Sequence, residues 1–100
     1  MKGLGMLLVF AAVAAAPAPT NEVAIDNFKF AAPTITVPVG TTVTWTNRDD
    51  VPHNVVSTDK AFKSPVLDTD ERFAHRFDAP GAYKYFCSIH PKMTGRIVVG

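Results

Sequence analysis

A single cysteine, Cys87, is all that this chain of 100 residues contains. Small exported domains use cysteines in pairs as staples, and one thiol excludes an internal disulfide. An excess of charge of either sign is also missing: ten Lys and Arg stand against nine Asp and Glu, and without Lys2 the two are equal. That balance leaves no basic stripe for nucleic acid. There is no helical periodicity of useful length, no internal repeat and no low-complexity tract. The longest apolar run, Leu4 to Val13, is shorter than the roughly 18 residues a membrane span needs. The length allows one domain and leaves no room for a second, catalytic one.

The apolar run has a different meaning. Lys2 precedes it, and Ala12-Val13-Ala14 ends it with a small-x-small pattern. This is the plan of a secretory signal peptide, residues 1–14, with cleavage after Ala14 favoured because cleavage after Ala16 would leave Pro17 next to the cut. A retained N-terminal anchor is the alternative. Residues 15–21 read as a tether and 22–100 as the domain. A periplasmic or otherwise exported setting is therefore expected. An unpartnered thiol in an oxidising compartment must be buried or ligated.

What is present is β-forming. Apolar residues alternate with others at Val23 and Ile25, Phe28 and Phe30, Ile35 and Val37, Val43 and Trp45, Val55, Phe73 and Phe77, Tyr83 and Tyr85, Ile97 and Val99. Period-two alternation over such short segments is a strand signal. Breaks rich in Pro, Gly, Asp and Asn fall at 32–34, 38–40, 47–52, 58–70, 78–81 and 88–95. The expected fold is all-β: a single-domain Greek-key sandwich of about seven to eight strands, with loops at its ends free for function. His75 falls on an inward position between Phe73 and Phe77 and reads as a partly buried structural histidine.

The chemistry is concentrated in FCSIHPKM, residues 86 to 93, where Cys87, His90 and Met93 follow one another at intervals of three. Strands fix both ends of this connection and Pro91 restricts its course, so three donors can curl toward one centre. Taken singly, the cysteine is a small buried hydrophobe and the methionine is packing. Together they form a soft donor set: thiolate and thioether favour copper, and imidazole suits copper as well. A fourth donor is available in His53, within DDVPHNVV at the entry to a strand. Two His, one Cys and a weak axial Met make the blue-copper electron-transfer set. Structural zinc fits less well, since zinc avoids thioethers and no second cysteine exists to complete its site.

TVTWTNRDDVPHNV followed by GAYKYFCSIHPKMTGRIVV resembles the cupredoxins, and the short Cys-x2-His-x2-Met loop is similar to that of the amicyanin branch, with Lys92 standing where amicyanins carry an aromatic residue. The resemblance spans Val23 to Gly100. It implies His53, Cys87 and His90 as strong equatorial ligands of one copper ion, Met93 as the axial ligand, and Asn54 as the residue that ties the two ligand loops and offers its amide to the Cys87 sulfur. It also implies a monomeric shuttle for single electrons between redox proteins, such as a dehydrogenase or reductase and a c-type cytochrome or oxidase. These would dock transiently on an apolar patch at Val51, Pro52, His90 and Pro91.

Two rival classes are tested by the same residues. A copper enzyme would need more histidines than the three present, and a Cys-His hydrolase would need an orienting third group and an oxyanion site that the sequence does not offer. A periplasmic copper carrier without redox shuttling is the second; it would be colourless as Cu(I), where a type 1 shuttle is intensely coloured when oxidised.

Overall fold

The computed structural model describes residues 19–100, so the expected signal peptide and the first part of the tether lie outside the described residues. Eight strands follow in order: β1 Thr20–Asp26, β2 Lys29–Phe30, β3 Thr34–Val37, β4 Thr41–Asn47, β5 Val56–Ser57, β6 Arg72–Phe77, β7 Gly81–Phe86 and β8 Thr94–Val99. β1 begins inside the stretch read as tether, with Thr20 already paired to Thr42. Among the described residues there is no helix.

The strands form two four-stranded sheets, ordered β2-β1-β4-β6 and β3-β8-β7-β5. Two pairings are parallel, β1 with β4 and β3 with β8; the rest are antiparallel. The alternation read from the sequence is what closes the sandwich. Val23, Ile25, Val37, Val43, Trp45, Phe77, Tyr85, Ile97 and Val99 all turn inward and are buried, while their neighbours, apart from the buried Thr46, face solvent or lie half-covered. Trp45 is the centre of this core, with the rings of Phe62, Phe73, Phe77 and Tyr85 around it at centroid distances of 5.3 to 6.5 Å. Aromatic groups of this size dominate core energetics, and cutting such a residue to Ala costs about 3–5 kcal/mol.

One alternation does not hold. Phe28 and Phe30 read as one strand face, but Phe30 is buried and Phe28 is 48% exposed. Ile25 pairs with Phe30 and Asp26 with Lys29, so Asn27 and Phe28 form a two-residue hairpin turn with φ of 51° and 57°. Positive φ at both central residues is the type I′ geometry that matches strand twist. Asn tolerates it; Phe does not without support. That support comes from the Asp49 carboxylate, which accepts from both amides. The 58–70 break is tied back to the preceding stretch by isolated bridges, Val56 with Lys63 and His53 with Leu67.

Candidate metal centre

Two loops meet at one end of the sandwich: the one leaving β4 carries His53, and the one joining β7 to β8 carries Cys87, His90 and Met93. The second is a seven-residue hairpin loop closed on itself. The Cys87 amide donates to the Met93 carbonyl (3.1 Å), His90 to Cys87 (3.2 Å) and Met93 to His90 (2.8 Å). These turns direct donors three residues apart inward. His53 is fixed by reciprocal backbone bonds with Leu67, at 3.1 and 2.7 Å.

The side chains converge. Cys87 Sγ lies 3.7 Å from His53 Nδ1 and 3.8 Å from His90 Nδ1. The three candidate ligand atoms fall within 4.8 Å of one another. Metal–imidazole and metal–thiolate bonds of about 2.0 and 2.3 Å, opened to a trigonal angle near 120°, would separate N from S by about 3.7 Å. The spacing therefore fits one ion shared by the three, and the softness of the set fits copper. Met93 is buried in the same loop. All four residues singled out from the sequence are thus at this end, and His75 is not: it lies on β6, half-buried between the rings of Phe62 and Phe77 (4.9 and 4.8 Å).

The surroundings orient these groups. Asn54 donates its amide to Cys87 Sγ (3.4 Å), its side-chain Nδ2 donates to Ser88 Oγ (2.7 Å), and its Oδ1 accepts the Ser88 amide (2.7 Å). One residue thus clamps the two loops together and places a dipole on the sulfur, as the resemblance implied.

Sequence reasoning missed Asp49. Its carboxylate accepts from His53 Nε2 (2.7 Å) and from the amides of Asn27 (2.6 Å) and Phe28 (2.9 Å). A carboxylate only accepts, so Nε2 carries the proton and Nδ1 is left free to ligate. Burial alone would raise the Asp49 carboxyl; the bonds from Phe28, His53 and Asn27 outweigh it and hold the group below its usual range. The same bonds sustain the left-handed turn, which sets Phe28 edge-on against the rings of His53 (5.5 Å) and His90 (5.0 Å). The only local signal was an acidic residue four positions before His53.

Around the half-buried His90, Phe28, Ile89, Pro91, Lys92 and Met93 line a shallow depression of about 470 Å³. Pro52 and Pro91 are exposed and Val51 is half-buried. Phe28 and Ile89, 48% and 43% exposed, enlarge the expected apolar patch.

Comparison with known proteins agrees with this geometry. The family described as copper binding proteins of the plastocyanin/azurin family matches residues 18–100. Amicyanin-alpha of Methylorubrum extorquens is 40% identical over 93 residues, covering 88% of this chain and 78% of its own. A purple cupredoxin from Nitrosopumilus maritimus superposes with a TM-score of 0.76 at 39% identity, over 80% of this chain and 99% of that one. A copper-containing nitrite reductase from Thermus scotoductus gives a TM-score of 0.77 at 36% identity, but this chain covers only 23% of it.

Proposed function

Because the chain belongs to the copper-binding plastocyanin/azurin family, we propose that His53, Cys87, His90 and Met93 hold its copper ion. The protein is a type 1 copper electron-transfer protein. The observation that carries the ligand assignment is the convergence of two imidazole Nδ1 atoms on the Cys87 sulfur from two separate loops.

Copper supplies a one-electron couple between Cu(I) and Cu(II). The chain keeps the cost of that change low by holding its donors still. Asp49 fixes the His53 ring, Asn54 locks the loop of Cys87 to that of His53, and backbone bonds close the 87–93 loop. Cys87 and His53 are fully buried, which keeps water from the donors, while His90 reaches the surface and offers an edge for electron exchange. Enzymatic chemistry at copper has little to build on here. The remaining histidine, His75, is packed between aromatic rings, and the nitrite reductase resemblance covers one part of a much longer chain.

The reading extends to setting and partners. Residues 1–14 act as an export signal and the domain works in the periplasm or another exported space, as a monomer. A dehydrogenase or reductase delivers the electron and a c-type cytochrome or oxidase removes it, each docking weakly at the patch formed by Val51, Pro52, His90 and Pro91 with Phe28 and Ile89. Small, weak interfaces are usual for redox encounters. The test is a visible and EPR spectrum of the copper-loaded domain. A strong thiolate-to-copper band that bleaches reversibly on reduction is expected. A colourless protein that holds Cu(I) and does not cycle would replace the shuttle with a copper carrier.

A further inference from the structure

Charge is balanced over the molecule but not along it. Residues 19–78 hold nine acids and six cations; residues 79–100 hold Lys84, Lys92 and Arg96 and no acid. Lys84 on β7 and Arg96 on β8 stand directly opposite each other in the ladder, and both are exposed. Like charges so placed destabilise a sheet, and among the described residues no acidic group relieves the pair. Arg48 and Arg76 each meet an aspartate, at 2.8 and 2.7 Å, whereas no carboxylate among the described residues reaches Lys84 or Arg96. Residues 1–18 contain no Asp or Glu that could do so. The four strands of this sheet contain none either.

The two cations border an open groove of about 550 Å³, which Phe86, Thr58 and Thr94 also line and which runs to Pro91 of the 87–93 loop. A positive groove therefore abuts the apolar patch where His90 surfaces. We infer that the outer face of β7 and β8 is the docking surface for an acidic protein partner, whose carboxylates settle between Lys84 and Arg96 while its apolar redox edge lies over His90 and Pro91. The inference rests on the electron-transfer reading and adds to it the charge of the partner and its orientation. The groove is open and its cations are exposed, so it suits a broad protein surface better than a small bound anion. Three cations on a molecule of net charge +1 are too few for a nucleic acid.

The experiment compares the full copper-loaded domain with two double variants that change net charge equally: Lys84→Gln with Arg96→Gln, and Arg48→Gln with Arg76→Gln. The probe is cytochrome b5, an acidic haem protein. Electron-transfer rates are measured at ionic strengths of about 10 and 300 mM, between which the screening length falls severalfold. The unaltered protein should slow with salt; the groove variant should be about tenfold slower at low salt and nearly insensitive to salt, while the other variant should match the unaltered protein. Equal slowing of both variants, or of neither, would overturn the inference. Amide shift mapping of the copper-free domain with the same haem protein gives a readout independent of copper. Shifts at Lys84, Phe86, Thr94 and Arg96 are expected. Shifts elsewhere, or association with phosphatidylglycerol vesicles in place of the protein, would overturn it, whereas loss of the visible band alone would count only against the electron-transfer reading.

Discussion

Asp49 shows how much of a metal centre can depend on a residue that touches no metal. It holds the His53 ring by one oxygen and the turn of Asn27 and Phe28 by both, so it binds together a proposed ligand, its tautomer and the aromatic ring above it. Replacing Asp49 by Ala should weaken copper binding by about 10–100-fold, read by competition with a chelator, and should release the Phe28 amide to solvent exchange. Replacing Cys87 by Ser should abolish the intense visible band and leave the far-ultraviolet circular dichroism of the strands unchanged, since the fold rests on the aromatic core and the colour on the thiolate. His75 offers a pH test. Burial against Phe62 and Phe77 lowers its pKa, with Asp78 acting weakly in the opposite sense. Its neutral form favours the fold, so the unfolded chain takes up a proton first. The contribution is complete above the unfolded value near ~6.5 and is lost as the pH falls through the lower, folded value. Urea midpoints of the metal-free domain at neutral and acidic pH should therefore converge between wild type and His75→Phe on the neutral side and separate on the acid side, with the variant more stable. At this scale the four candidate ligands were legible, because three of them share one short loop. Asp49 was not, since its partners at 27 and 28 are more than twenty positions away and only folding brings them together.

Strands became legible wherever one face meets the core, as in β4, where Val43 and Trp45 alternate with threonines. The reading failed at β2, a two-residue strand whose preceding turn puts Phe28 at a left-handed position that side-chain alternation cannot reveal. The pairing of β7 with β8 holds a feature of the same kind. Gly95 lies opposite Tyr85, and a Cβ there would collide with the Tyr85 ring. Gly95→Ala should cost about 1–3 kcal/mol or somewhat more in urea unfolding, because the buried ring has nowhere to move. Tyr85→Phe tests the other member of the pair. Burial pushes the Tyr85 hydroxyl up to about 12, although the neighbouring Trp45 draws it the other way. Neither that hydroxyl nor the Trp45 indole N–H makes a hydrogen bond of ordinary geometry. Removing the hydroxyl should therefore change stability by less than about 1 kcal/mol, since no satisfied bond is lost.

Over the whole molecule, one end carries the donors, the apolar patch and the mouth of the basic groove, so partners should be sensitive to changes there and indifferent elsewhere. Val51→Glu should slow electron exchange with a protein partner while leaving the visible spectrum as it was; stopped-flow mixing measures both. Sheet order and the parallel pairings of β1 with β4 and β3 with β8 were not legible, because alternation states which face is buried and not which strand lies beside which. The arrangement of the proposed ligands bears on how metal and folding are linked. Cys87, His90 and Met93 travel together within one hairpin loop, but His53 is 34 positions from Cys87 and reaches it only when the two sheets close on each other. An unfolded chain still owns a three-donor chelate. Copper should thus bind both states, with a stabilising effect set by the ratio of the two affinities and not by the tighter one alone. Copper should raise the melting temperature by less than its affinity for the native protein would predict, and the shift should shrink further in His53→Ala, in which folding adds no fourth donor. Calorimetry of both proteins beside a copper titration of the urea-unfolded chain measures the difference. His53 is then the donor by which copper distinguishes a finished fold from an open chain.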